Sequence, residues 1–259
     1  MGKSSAMDKE HLNPLGHTVD DAEIAKFAAM AEEWWDPDGK FKPLHKFNPV
    51  RIGYIRDHLC ARFGRDPHAA NPLKDLRILD IGSGGGLLCE PMKRLGADII
   101  GVDATEKSVH VARAHAESVG LDIDYRFATA EQLLADGEQF DAVLNMEVVE
   151  HVADVQSFVS VSADLVRPGG AMFMATLNRT ARSYMFAIVG AEYVMRWLPK
   201  GTHDWKKFLK PSELAAHLRP TGMEIRDLQG VVFNPLKDTW SLNPNDLAVN
   251  YLLYAEKEG

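Results

Sequence analysis

The chain has 259 residues, 46% of them hydrophobic and 25% charged, which is ordinary for a globular protein and long enough for one sizeable core. Its formal net charge of −8 repels a phosphate backbone, so nucleic acid is not an expected partner and a small molecule or a protein is. Cys60 and Cys89 stand far apart without metal-ligand spacing, which argues against a disulfide framework or a zinc cluster, and no apolar run approaches the roughly 18 residues of a membrane span.

The opening residues MGKSSAMDKEHLNP lack the apolar stretch of a secretory signal, so residues 1–19 read as a flexible N-terminus and a reducing cytosol is expected. From Asp20, the stretch DDAEIAKFAAMAEEWWDPDG reads as a helix. It has acidic residues at its start, Ile24, Phe27, Ala28 and Ala31 at helical spacing, and a Pro-Gly stop after Trp35. Asn48 as N-cap with Pro49 at the first helical position predicts a second helix to about Phe63, with Ile52, Ile55 and Leu59 on its apolar face. GRDPHAANPLKD, residues 64–75, is a turn-rich linker. Residues 20–74 are therefore expected to form an N-terminal helical extension or lid, ahead of a domain at 75–259.

Short apolar runs then alternate with helical patterns. RILDI (77–81) precedes a helix to Leu95, and DIIGVD (98–103) precedes one from Glu106 to Ser118 that Gly120 stops. DYRF (124–127) leads to a short helix near Glu131, and FDAVLN (140–145) to a helix from Val155 to Leu165. The turn Pro168-Gly169-Gly170 then opens AMFMAT (171–176). Five strand-helix units imply an α/β, doubly wound, mostly parallel sheet. Beyond a helical stretch to about Leu218, MEIRDL (223–228), VVF (231–233) and LAVNYLLYA (247–255) read as strands with no full helix between them, so an antiparallel C-terminal edge is expected.

The sharpest motif is LDIGSGGG, residues 79–86, directly behind the first strand, where an open parallel sheet binds its ligand. Glycine there permits positive φ and close approach of the main chain. Counting from Gly82, the sixth residue is Leu87, so the G-x-G-x-x-G spacing for a pyrophosphate is broken, and no Gly-Lys-Ser/Thr follows for a triphosphate loop. Asp103 ends the second strand, 21 residues after Gly82, where a carboxylate can accept both hydrogen bonds of a ribose diol or simply start a helix. The pattern Asp80-x-Gly82-x-Gly84-x-Gly86 resembles the first motif of class I S-adenosylmethionine-dependent methyltransferases, which implies their Rossmann-like fold and S-adenosylmethionine as cofactor.

A second resemblance is narrower. Trp35-Asp36-Pro37, Gly39, Leu44-His45, Asn48-Pro49 and Arg51, with NMEVVEHVAD (145–154) and THDWKKFLKPSEL (202–214), are similar to the O-methyltransferases of ubiquinone biosynthesis. That resemblance implies methylation of polyprenyl catechols and demethylubiquinol, and cofactor contacts at Arg51, Gly82, Gly84, Asp103 and Met146. Arg51 has a further argument: in the first turn of a helix the dipole disfavours a cation, so an anion such as the cofactor's carboxylate should lie near. Met146 serves equally well as core filler.

A neutral phenol must lose its proton before it attacks. Glu147, Glu150 and His151 follow the fourth strand and would share one face of a helical turn. Either His151 or Glu147 is a catalytic base, or all three hold a divalent cation such as Mg2+, as the family resemblance implies for some members. His45, Asn48, His203, Asp204 and Trp205 are candidates for the substrate side or for capping.

Residues 179–210 form an insertion with seven Lys/Arg against Glu192 and Asp204, a local excess of five positive charges in an acidic chain, interleaved with Tyr184, Met185, Phe186 and Trp197. Such a segment either docks on an anionic membrane surface and covers the substrate, or is a buried helix with a solvated rim. The expected protein is cytoplasmic and peripheral on the inner membrane, with a prenyl phenol as substrate and a ubiquinone-biosynthesis complex as a partner. The competing functions are methylation of another small or lipid phenol and a non-catalytic scaffold that binds the cofactor.

Overall fold

The computed structural model describes residues 18–185, 204–234 and 236–259. At its centre an eight-stranded sheet runs in the order β3-β2-β1-β4-β5-β8-β6-β7. The parallel strands are β1 (Arg77–Ile81), β2 (Asp98–Asp103), β3 (Asp124–Phe127), β4 (Phe140–Met146) and β5 (Val166–Leu177). The antiparallel edge is β8 (Asn250–Lys257), which pairs with β5 and with β6 (Met223–Asn234), and β6 carries β7 (Thr239–Asn243) outside it. The chain winds outward from β1 in one direction and from β4 in the other, so the switch point lies between these two strands, beside the loops that follow them.

Period-two alternation divides each strand between two cores. Ile78 and Ile99 face one cluster, where Ile55 and Leu59 of α2 pack with Met92, Val109 and Phe173. Leu79, Ile81, Ile100 and Val102 face the other, beneath Phe158, Val159, Leu214 and Leu218. The first face is covered by α2 (Lys42–Arg62), α3 (Cys89–Arg94) and α4 (Glu106–Ser118), and the second by α5 (Ala130–Ala135), α6 (Val155–Asp164) and, after the short turn α7 (Ala181–Ser183), by α8 (Pro211–Leu218).

Helix α1 (Asp21–Met30) starts as expected, with the Asp20 carboxylate accepting from the amides of Ala22 and Glu23. The expected start of α2 is corrected. Asn48 is not an N-cap: the helix begins at Lys42, with Pro43 in its first turn, and runs straight through Pro49. Two prolines offer the same start signal, and the earlier one takes the position where a missing N–H costs nothing. Arg51 is thus the tenth residue of the helix, not in its first turn, and the dipole argument for it lapses.

Toward the C-terminus, Pro168-Gly169-Gly170 lies inside β5 as an irregularity: Val166 pairs with Phe140 and Ala171 with Ala142, so residues 167–170 stand outside the ladder. The two strands expected at 223–228 and 231–233 are one, continuous through Gly230. A Cβ there would lie 1.8 Å from the carbonyl oxygen of Asp246, so this glycine marks a close backbone approach rather than a break. β7 has no counterpart among the expected elements. The insertion at 179–210 lies largely outside the described residues, as do His203 and residues 1–17.

The glycine loop after β1 is crowded from both sides. A Cβ on Gly86, at φ 87°, would sit 2.2 Å from Oη of the buried Tyr125. Gly86→Ala is therefore expected to cost about 2–4 kcal/mol in urea denaturation, and Tyr125→Phe in the same chain to recover part of it. A Gly86→Ala protein as stable as the parent would remove this packing argument.

Candidate active site

The loops after β1, β2, β3 and β4 open into one cavity of about 710 Å3. Gly82, Asp103, Met146, Glu147, Glu150 and His151 all line it, as do Thr129, Ala130 and Glu131 after β3. Arg51 and Gly84 stand just behind its wall. Of the substrate-side candidates, His45 holds the Trp34 carbonyl (2.9 Å), Asn48 donates to the Leu87 carbonyl (2.6 Å), Asp204 caps the turn at Lys206, and Trp205 donates to the Thr180 carbonyl, and none of these four lines the cavity.

Asp103 ties the loops together. One carboxylate oxygen accepts from the Gly84 amide (2.9 Å) and the other from the Thr105 amide (2.7 Å), while burial pushes its pKa up against those bonds. Each oxygen keeps a further lone pair for a ligand. The bare main chain at Gly84 and Gly85 is covered by the protein itself: Cβ atoms there would lie 2.4 and 2.3 Å from the Trp34 side chain. Trp34 stacks on Phe41 at 3.6 Å and donates to Ser108 Oγ, while Trp35 donates to the Gly85 carbonyl (2.8 Å) and stacks on His115. The N-terminal extension thus clamps the glycine loop.

Behind the loop lies a buried charge pair at a distance. Burial raises Asp80 to about 7, opposed by the Cys89 thiol at 3.3 Å and by the charge of Arg51. Arg51 is 3% exposed; burial lowers its pKa while Glu147 and Asp80 favour its charge. Its Nη2 donates to Asn48 Oδ1 (2.8 Å), and its Nε has no partner among the described residues. An unpartnered nitrogen on a buried guanidinium is costly to the fold.

Past β4 the chain does not form the expected helical face. Glu147 sits at φ 61°, a strained conformation for a side-chain-bearing residue, and its amide donates to the Ala175 carbonyl (2.9 Å). A 3₁₀ turn follows over Val149–His151. Glu150 is buried; desolvation first, then the charge of Glu147, raises its pKa well above the carboxylate range, against the Thr176 hydroxyl it holds at 2.8 Å. His151 Nδ1 meets Glu23 Oε2 of α1 at 2.9 Å. Glu150 is held by Thr176 and lies within hydrogen-bonding reach of Glu147, while His151 turns to Glu23, and among the described residues no three His, Cys, Asp or Glu groups are placed to hold a metal ion. The expected Mg2+ site at Glu147, Glu150 and His151 does not fit this arrangement.

Residues 79–174 match the family model described as a methyltransferase domain. Two ubiquinone biosynthesis O-methyltransferases align over nearly their whole length. That of Dinoroseobacter shibae is 61% identical over 235 residues, 91% of this chain and 95% of the relative. That of Sinorhizobium fredii is 57% identical over 240 residues, 93% and 96% of the two. The chain belongs to the ubiquinone biosynthesis O-methyltransferase family. It is an S-adenosylmethionine-dependent O-methyltransferase. Solved structures agree in fold: the magnesium protoporphyrin IX methyltransferase of Synechocystis PCC 6803 with bound SAM has a TM-score of 0.53 at 19% identity, covering 80% of this chain and 78% of that one. The plantazolicin methyltransferase BpumL in complex with SAH reaches 0.62 at 14% identity, covering 92% and 99%.

In this O-methyltransferase, six sequence-predicted groups, Gly82, Asp103, Met146, Glu147, Glu150 and His151, meet at the cavity, while Glu23, 128 positions before His151, and Asn250 at the start of β8 also line it and had no sequence signal. Asp80 supplies a stability test. Its pKa in the fold, about 7, lies above the ordinary 3.8, so the folded protein holds a proton that the unfolded chain releases between those values. Stability from this group is therefore lost as pH rises from about 4 to about 7. Asp80→Asn is expected to flatten that fall in urea midpoints measured across the window; an unchanged slope would place Asp80 as an ordinary ionised carboxylate.

Proposed function

We propose that this enzyme methylates a phenolic oxygen of polyprenyl intermediates in ubiquinone biosynthesis, of the 3-demethylubiquinol and 2-polyprenyl-6-hydroxyphenol type. The observation that carries the reading is the make-up of the one cavity. A polar end at Asp103, Glu131, Glu147 and His151 runs into an apolar wall of Phe47, Val231, Phe233 and Trp240, which suits a hydroxylated ring on a branched hydrocarbon tail.

S-Adenosylmethionine, when bound, supplies a sulfonium methyl group that a phenolate oxygen displaces in line, leaving S-adenosylhomocysteine. Its holders in this reading are the spare lone pairs of Asp103 for the ribose diol, the Arg51 guanidinium for the carboxylate, and Gly82, Gly84 and Met146 for the main body, with Thr129, Ala130 and Glu131 beside the base. The unpartnered Nε of Arg51 supports the carboxylate assignment. His151 takes the phenol proton, and the carboxylate of Glu147 on the same wall favours the imidazolium that results. No step is routed through a divalent ion. Residues 20–74 act as the lid over the domain at 75–259, supported by Glu23, Ile24, Phe27, Leu44 and Phe47 on the cavity wall.

No helix of the described residues is long and apolar enough to cross a membrane, so the greasy substrate must be met at a surface. The basic insertion at 179–210 is assigned to that task, on the cytoplasmic face of the inner membrane and beside other enzymes of the pathway. At its described edge Tyr184 and Met185 are 46% and 58% exposed. Sedimentation is expected to show binding to anionic liposomes that neutral ones lack; equal, negligible binding to both defeats the membrane assignment.

Incubation with S-adenosylmethionine and a short-chain prenyl catechol should give an O-methyl product by mass spectrometry. His151→Ala should lower kcat on the order of 10²- to 10⁴-fold while leaving S-adenosylhomocysteine binding in place. Absence of product from the wild-type enzyme, with binding of the cofactor intact, would reverse the proposal.

A further inference from the structure

Glu23 stands apart among the residues around the cavity, because it reaches the proposed proton acceptor from another part of the chain. His151 lies on the turn after β4, and the 2.9 Å contact of its Nδ1 is to a carboxylate on α1. The two side chains are only 15% and 16% exposed, so solvent screens the pair weakly. Glu23 is itself braced: Lys26 Nζ lies 3.3 Å from Oε2 and Lys207 Nζ 3.3 Å from Oε1, while Lys207 also reaches Asp20 at 2.9 Å. The Phe27 ring meets the imidazole edge-on, centroids 5.1 Å apart at 89°, and limits its rotation. Two ammonium groups at 3.3 Å, on Lys26 and Lys207, favour the ionised form of the Glu23 carboxyl.

An ionised carboxylate has acceptors only, and a neutral imidazole has one donor and one acceptor nitrogen. A hydrogen bond between them therefore puts the ring proton on Nδ1 and leaves the lone pair on Nε2. We propose that Glu23 is the positioning residue of the reaction: its carboxylate fixes the His151 ring and its tautomer, so that Nε2 is the atom offered to the substrate hydroxyl. This deepens, and rests on, the reading of His151 as proton acceptor. The residue lies in the N-terminal extension, outside the part of the chain that matches the methyltransferase-domain model. The extension would then complete the catalytic group as well as cover it.

The test uses the full-length enzyme with S-adenosylmethionine and a short-chain prenyl catechol, and histidine 15N NMR, with the His151 signals assigned from their loss in His151→Gln. In the wild type, at a pH where the ring is neutral, the proton is expected on Nδ1. Glu23→Ala should move it to Nε2 and lower kcat on the order of 10- to 100-fold, with KM for both substrates and the Kd of S-adenosylhomocysteine within about twofold. Glu23→Gln keeps an acceptor oxygen at the same reach, and should retain the Nδ1–H form and recover much of kcat. A wild-type spectrum with the proton on Nε2, an unchanged kcat in Glu23→Ala, or a loss confined to KM or to melting temperature overturns the proposal. Should the wild type methylate nothing, the reading of the site fails, while the spectra still decide the bond between Glu23 and His151.

Discussion

Between Gly84 and Gly86 the main chain carries no side chains, and two aromatic residues use the space. Trp34 lies on Gly84 and Gly85 from the N-terminal extension, and Tyr125 reaches Gly86 from β3. Any Cβ in that stretch would push one of them out. The loop is therefore held by packing on both sides and by the Asp103 carboxylate, which takes the amides of Gly84 and Thr105 at the ends of two different loops. If the contact with Trp34 opened, α1 would lose its anchor and Glu23 its distance to His151. The glycine loop and the N-terminal extension are thus one packed unit.

The wall of this unit is unusually rich in buried ionisable groups. Asp80, Arg51 and Glu150 are nearly inaccessible and Asp103 is half-buried, and desolvation is the leading cause of the shift at each. Burying charges without full pairing destabilises a fold, and among the described residues no close ion pair compensates Arg51. Such a cost persists where the same groups meet a charged ligand, and S-adenosylmethionine brings a carboxylate, a sulfonium and a ribose diol to one place. Glu147 adds backbone strain at the same wall, kept by the amide bond to Ala175. Stability is given up at the strand ends and made good by the two apolar clusters that cover the sheet.

Much of this was legible because each layer of it rests on short-range signals. RILDI, DIIGVD and DYRF became β1, β2 and β3 without a residue of error, since a parallel sheet buried on both faces gives short apolar runs bounded by turn residues. The residues after those strands fell into the site because parallel topology brings strand ends to one edge. The start of α2 failed because Pro43 and Pro49 give the same local signal, and only the tertiary packing of Phe47 and Asn48 separates them. Gly230 misled because a glycine that admits a neighbouring backbone looks, in sequence, like one that ends a strand. β7 pairs only with β6 and is largely exposed, so its short alternation carries little apolar weight. The helical face expected for Glu147, Glu150 and His151 is absent, because a left-handed Glu147 followed by a 3₁₀ turn sends Glu150 and His151 to different partners.

The ion pairs around α1 add a final consequence. Lys207 joins Asp20 and Glu23 of the extension to the segment that follows residue 203, and Glu23 continues the chain of contacts to His151. These residues span nearly the whole described sequence, and no periodicity links them. A displacement of Lys207 by a bound tail or surface would leave Glu23 with Lys26 and His151 alone. The carboxylate would keep its acceptor role toward His151 without Lys207, because its contact with the imidazole does not run through that lysine. Coupling of this kind costs little, because part-exposed pairs are each worth only about 1 kcal/mol or less and can break without unfolding the lid.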